Sequence, residues 1–251
     1  MIFITGDTHG DWMTRFNRQN FPEQKEMTKN DYVIICGDFG LWHDTSQERY
    51  CLDWLDKKPF TTLFVDGNHE NFDRLYDMPV EEWHGGKVHK LRNSVIHLMR
   101  GQVFDINGQS FFTFGGASSH DISDGILEKD DPRLKKWRKD YTKFFRINHV
   151  SWWAEELPSQ KEMDEGLANL QRHNNRVNYI ITHSPYTSIM KYIGAMSAGK
   201  NSYKPDTLTD YLQRIKDNTH YGLWIFGHMH DNCRFPWDKS ACLFEQIVRL
   251  F

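Results

Sequence analysis

Only four cysteines occur in the 251 residues. Cys36, Cys51, Cys233 and Cys242 are scattered and form no CxxC pair, and the chain is long enough to need no disulfide staples, so a reducing cytoplasm is the expected setting. Long apolar runs are also missing, which excludes a membrane-spanning helix. Met1 to Thr5 read as a strand that begins at once, leaving no room for an export leader. Charge of one sign is absent as well: 31 Lys and Arg against 34 Asp and Glu give a net charge of −3. No global basic field exists, so a polyanionic partner has to be met by local charge or by bound metal. Low-complexity tracts, Ser/Gly-rich linkers and long internal repeats are lacking too. With 39% hydrophobic and 26% charged residues the chain can fill a core, and one α/β domain spanning 1–251 is expected.

Short apolar runs bounded by Gly and Asp recur near the start: MIFIT before GDTHG, YVIIC before GDFG, and TTLFV before DGNHE. These have the look of buried strands. Asp7, Asp38 and Asn68 succeed one another at about the spacing of βαβ units, so they fall at equivalent strand ends. In open α/β sheets that rim is where ligands bind. Further on, VIHLM, QVFDI and QSFFTF predict antiparallel strands, with Asn107-Gly108 as a tight hairpin turn. Residues 129–146 are charged and aromatic and read as helix or loop. Ser159 to Glu162 form a capping box for a helix running to about Gln171. VNYIIT before His183 and GLWIF before Gly227 are two more strands, and the apolar CLFEQIVRL closes the chain.

The chemistry lies in the loops at the ends of these strands. Asp7 and His9 are two apart, so in an extended strand end both reach the same side. GDTHG, GDFG, GNHE, THSP and GHMH each supply Asp, Asn or His, and five of the 13 histidines fall in these loops. Histidine with carboxylate suits a divalent transition ion (Mn, Fe or Zn), whereas Mg or Ca prefers more oxygen.

The ordered motifs D-x-H, G-D, G-N-H-E, H and G-H-x-H resemble the calcineurin-like metallophosphoesterase superfamily, from Asp7 to His230. The resemblance implies a four-layer sandwich of two mixed β-sheets flanked by helices, with residues around 121–158 as an insertion. It implies Asp7, His9 and His230 at one metal, Asn68, His183 and His228 at the other, and Asp38 between them. His69 would face the scissile phosphate and protonate the leaving oxygen. Two cations about 3.5–4 Å apart suit an in-line phosphoryl displacement by a hydroxide bridging them. The expected activity is hydrolysis of a phosphate mono- or diester. GDTHG and GNHE resemble Ser/Thr protein phosphatases, but the second motif continues as GDFGLWHD, without the Asp-Arg-Gly segment whose Arg would grip a phosphomonoester. A nucleotide phosphodiesterase or nuclease is therefore the alternative, and a catalytically silent metal-binding scaffold the remote one.

Other residues have two readings. Glu70 is either a carboxylate orienting a ligand or a solvated helix start. His43, and the Gly115 to His120 loop, are either substrate contacts or loop structure. Lys135, Lys136, Arg138 and Lys139, interleaved with Trp137, Tyr141 and Phe144, either bind nucleic acid or form an amphipathic helix with a solvated basic face; interspersed aspartates favour the helix.

Overall fold

Strict alternation along short strands sorts apolar side chains into layers. In the computed structural model, which describes residues 1–196 and 204–251, β1 (Ile2–Thr5) sends Ile2 and Ile4 to one face and Phe3 to the other. The same split divides Ile34 from Val33 and Ile35 on β2 (Tyr32–Ile35). Between them come α1 (Trp12–Arg15) and a short 3-10 turn, and α2 (Ser46–Asp56) leads on to β3 (Thr61–Phe64). After α3 (Phe72–Tyr76) the chain forms β4 (Val80–Trp83), β5 (Gly86–Arg92) and β6 (Val95–Leu98). The parallel order β1-β2-β3-β6 continues antiparallel through β5 to β4.

The chain then crosses to a second sheet. There β7 (Gln102–Ile106) and β8 (Gln109–Phe114) form the expected hairpin, its two turn residues Asn107 and Gly108 both at positive φ. The run VIHLM is a strand but belongs to the first sheet, beside β3 and β5, and not with the two strands after it. β4 and β5 are too charged on their exposed edge to register as strands in sequence. A small separate ribbon, β9 (Gly125–Leu127) with β10 (Phe145–Ile147), flanks the one-turn α4 (Leu134–Trp137). The amphipathic helix expected over 129–146 is therefore absent; α4 is all the helix it contains.

The capping box at Ser159 is present and starts α5 (Gln160–Arg172). Next come β11 (Arg176–Thr182), α6 (Thr187–Met196), α7 (Thr207–Asn218), β12 (His220–Phe226), β13 (Cys233–Phe235) and β14 (Ser240–Cys242). β8, β11, β12 and β14 are parallel, with β7 and β13 antiparallel at the edges. The last apolar run is split: its first part enters this sheet, while β15 (Val248–Arg249) returns to pair antiparallel with β1.

Three clusters build the layers. Ile2, Ile34 and Leu63 of the first sheet meet Phe111, Ile181 and Ile225 of the second. The outer face of the first sheet packs on α1, α2 and α3 through Trp12, Leu52 and Phe72. The outer face of the second packs on α5, α6 and α7 through Leu170, Ile189 and Leu212. The result is the expected four-layer sandwich of two mixed sheets flanked by helices. Leu127, Leu134 and Ile147 form a minor core of their own under the ribbon. Among the described residues no helix is long and apolar enough to cross a membrane.

Candidate metal centre

All the polar motifs come after strands that run parallel within their sheets, so their loops gather at the carboxyl ends of β1, β2, β3, β8, β11 and β12. Asp7, His9, Asp38 and His230 bring one ligand atom each within 4.8 Å of one another. His9 Nε2 lies 3.0 Å from His230 Nε2, and His230 Nε2 lies 3.2 Å from Asp7 Oδ2. On the other side, His183 Nε2 is 3.3 Å from both Asp38 Oδ1 and Asn68 Oδ1. The second oxygen of Asp38 faces His9 Nε2 at 3.7 Å. The His228 ring stands 4.9 Å from that of His183 and 4.5 Å from that of His120.

Backbone strain delivers several of these groups. His9, Asp38, His228 and His230 have φ of 47°, 43°, 63° and 48°, a region that costs a non-glycine residue of order 1–3 kcal/mol and collects at functional sites. The convergence of Asp7 and His9 therefore comes from a left-handed turn at His9, and not from the extended strand end that the two-residue spacing suggests. Two glycines permit the close packing. A Cβ at Gly67 would stand 2.0 Å from Asp38 Oδ1, and one at Gly227 would stand 2.2 Å from Asp7 Oδ1.

Hydrogen bonds orient the donors. The Cys36 carbonyl, 2.8 Å from His183 Nδ1, accepts its proton, so Nε2 is the nitrogen turned to Asp38. The amide of His228 donates to both Asp7 oxygens at 3.1 Å, and that of His69 donates to Asp38 Oδ1 at 2.8 Å. Asn68 Nδ2 donates to Ser119 Oγ, which in turn donates to Glu156 Oε2 at 2.6 Å; the amide orientation this sets turns Asn68 Oδ1 to His183. Glu70 is no solvated helix start: it is fully buried and accepts from the amides of Phe39, Gly40 and Leu41. It shapes the loop after Asp38.

The electrostatics follow from carboxylates and imidazoles crowded together out of water. Burial works against charge on His183 but is outweighed by Asp38 and then Asp7, which hold its pKa up at about 10. For Asp38, burial is outweighed by His183, and the carboxyl sits well below its ordinary range. Burial lowers His9 and His228. His69 is lowered too, by burial first and by Arg146, His9 and His183, against the pull of Asp38. A divalent ion among these groups would take the place of the shared proton on His183. The donor set of imidazoles, carboxylates and one amide oxygen fits transition ions.

His69 is half-buried beside the Trp42 ring and opens, with Asp38, Asn68, His228 and His230, onto a cavity of about 550 Å³. His120 lines it as well, whereas His43 is exposed and does not. No motif marks the cavity's far wall, where Asp121, Ser123, Phe144 and Arg146 stand. An arginine does face the site, although none follows the second motif; it arrives from a distant ribbon, a distance no motif spacing encodes.

The calcineurin-like phosphoesterase family matches residues 1–232, which takes in every residue from Asp7 to His230. Lariat debranching enzyme A of Xenopus laevis is 28% identical over 143 residues, 51% of this chain and 26% of that protein, so the chain spans about a quarter of that relative's length. A solved structure of a phosphopantetheinyl hydrolase from Mycobacterium tuberculosis aligns over 97% of this chain and 87% of its own, at 15% identity and a TM-score of 0.45.

Proposed function

We propose, from the premise that the chain belongs to the calcineurin-like phosphoesterase family and is a phosphoester hydrolase, that it cleaves a phosphate mono- or diester with two divalent transition ions (Mn, Fe or Zn). Asp7, His9 and His230 hold one ion, Asn68, His183 and His228 the other, and Asp38 spans both. The observation that carries this division is Asp38 itself, whose Oδ1 faces His183 at 3.3 Å while Oδ2 faces His9 at 3.7 Å. The ions would supply Lewis acidity at the phosphate and make hydroxide available as the nucleophile at neutral pH. His69, at the cavity mouth, donates the proton to the departing oxygen.

Residues 121–158 are read as an insertion into one catalytic domain, a reading supported by the separate minor core beneath β9 and β10. The four free cysteines favour a reducing, cytoplasmic setting. The relative named for lariat debranching favours a nucleotide diester or nucleic acid over a phosphoprotein as substrate.

The test is hydrolysis of p-nitrophenyl phosphate and bis-p-nitrophenyl phosphate by chelator-stripped protein resupplied with Mn, Zn, Fe or Mg. Metal-restored turnover that falls by about 10²–10⁴-fold in His69→Ala, with metal content unchanged, is expected. Bound metal without turnover of either ester would leave a silent scaffold instead.

A further inference from the structure

The ribbon formed by β9 and β10 puts two faces to different uses. Its inner residues, Phe145 and Ile147, pack with Leu127, Leu134 and Trp137 in the minor core. Strand alternation then turns Phe144 and Arg146 the other way, and both line the cavity that holds Asp38, Asn68 and His69. Ladder pairing with Gly125 and Ile126 fixes the ribbon's register, and Asp124 closes its start by accepting from the Phe144 amide at 3.0 Å.

Arg146 is held rigidly. Its Nε and Nη2 donate to the two oxygens of Asp121 at 3.0 and 2.6 Å, a fork-to-fork pair. A guanidinium has five N–H donors in one plane. Asp121 takes two, on one edge. The remaining edge, both protons of Nη1 and the second of Nη2, makes no hydrogen bond among the described residues. The side chain is 18% exposed and lines the cavity. Such an edge matches two non-bridging phosphate oxygens. Arg146 is also the single arginine on the cavity wall among the described residues, and no lysine accompanies it. A diester carries a second substituent, and on the same cavity wall as Arg146 stands Phe144, 54% exposed although aromatic. An open ring beside a phosphate grip is a stacking platform for a base.

We infer that Arg146, clamped by Asp121, grips the scissile phosphate, and that Phe144 stacks on a nucleobase attached to it, so that the substrate is a base-bearing phosphodiester. This rests on the metal-centre reading, but binding tests it separately. The probes are the p-nitrophenyl ester of thymidine 5′-monophosphate, which has a base, methyl p-nitrophenyl phosphate, which has none, and thymidine 5′-monophosphate as a binding ligand. The metal-loaded protein is expected to favour the thymidine diester over the methyl diester by about 10-fold or more in kcat/KM. Phe144→Ala erases that preference through KM, with kcat nearly unchanged. Arg146→Ala lowers kcat/KM about 100-fold on both diesters, and Arg146→Lys restores little because the fork is lost. Metal content stays at the wild-type level in all three variants. Calorimetry gives the readout apart from turnover: thymidine 5′-monophosphate binds about 10-fold more weakly to Arg146→Ala and to Phe144→Ala. Turnover by the wild type together with an unaffected Arg146→Ala, or no base preference, overturns the inference and leaves the metal-centre reading standing. Absence of all turnover removes that reading instead; equal nucleotide binding by wild type and both variants then overturns this one as well.

Discussion

His183 and Asp38 face each other across 3.3 Å, Nε2 to Oδ1, with both side chains at 1% exposure or less. Such a pair deep in the protein is costly unless something further satisfies it. Here Asp38 and then Asp7 overcome burial and hold the pKa of His183 up at about 10. Asp38 also faces His9, so under the proposed assignment its removal would take a ligand from both ions. Asp38→Ala is expected to reduce bound metal from about two ions to fewer than one per chain, measured by mass spectrometry of the purified protein after metal loading. Two ions retained in the variant would refute the bridging role.

A subtler dependence runs through Ser119. Its hydroxyl accepts from Asn68 Nδ2 and donates to Glu156, whose carboxyl burial pushes up and Ser119 pulls down. Asn68 is thereby held with Oδ1 toward His183. Partners that orient a ligand typically matter about 10–100-fold. Ser119→Ala is expected to weaken the affinity of the second ion by about that factor while the first, among Asp7, His9 and His230, is retained. Competition with a chromogenic chelator resolves the two affinities; a uniform loss, or none, would contradict the assignment.

How much of this is legible in the sequence depends on the physics of each element. Short β-branched runs such as YVII declare themselves because both faces of the strand are buried. Asp7, His9, Asp38, Asn68, His69, His183, His228 and His230 stand out in motifs because each comes after such a run, and the structure brings all eight to one rim. VIHL reads with the wrong sheet because its own residues do not record that β3 is its neighbour. Glu70 is ambiguous because a buried carboxylate and a solvated one have the same sequence; the three amides it accepts from are set by tertiary structure. Arg146 is hidden in a charged stretch, since its role depends on Asp121 and on the pairing of a three-residue ribbon.

One buried ion pair is likewise invisible in sequence. Asp66 accepts from Arg100 Nε and Nη2 at 2.9 and 2.5 Å and from His97 Nε2 at 3.0 Å. Asp66 is 0% exposed and Arg100 4%. Although burial opposes it, Arg100 and His97 hold the Asp66 carboxyl far below its ordinary range. The Asp66 carbonyl also accepts from the Gly116 amide, tying this network to the loop that carries Ser119. Asp66→Asn leaves the Arg100 guanidinium buried without its counter-charge and is expected to destabilise the fold by about 3–5 kcal/mol. The midpoint of urea unfolding measures this. A loss under about 1 kcal/mol would show that the Glu155 carbonyl and the Glu162 carboxylate, which also approach Arg100, suffice to hold it.

The same network sets a pH dependence through His89. Its Nδ1 lies 3.0 Å from His97 Nδ1, the residue is 2% exposed, and the Tyr76 ring stands 6.3 Å away. Burial first and the neighbouring His97 second lower its pKa to about 4, with Asp66 pulling weakly the other way. Above about pH 6.5 His89 is neutral in both the folded and the unfolded chain, and its contribution to stability is fully present. As pH falls from about 6.5 to about 4, the unfolded chain binds a proton that the folded one refuses, so stability declines; below about 4 both are protonated and the decline stops. The loss is of order 1–3 kcal/mol. Since other groups titrate in the same range, the decisive quantity is the difference between wild type and His89→Gln in urea unfolding at about pH 7.5 and about pH 5. The wild type should lose more stability than the variant over that interval, and parallel losses would mean that His89 takes up its proton as readily in the folded protein as outside it.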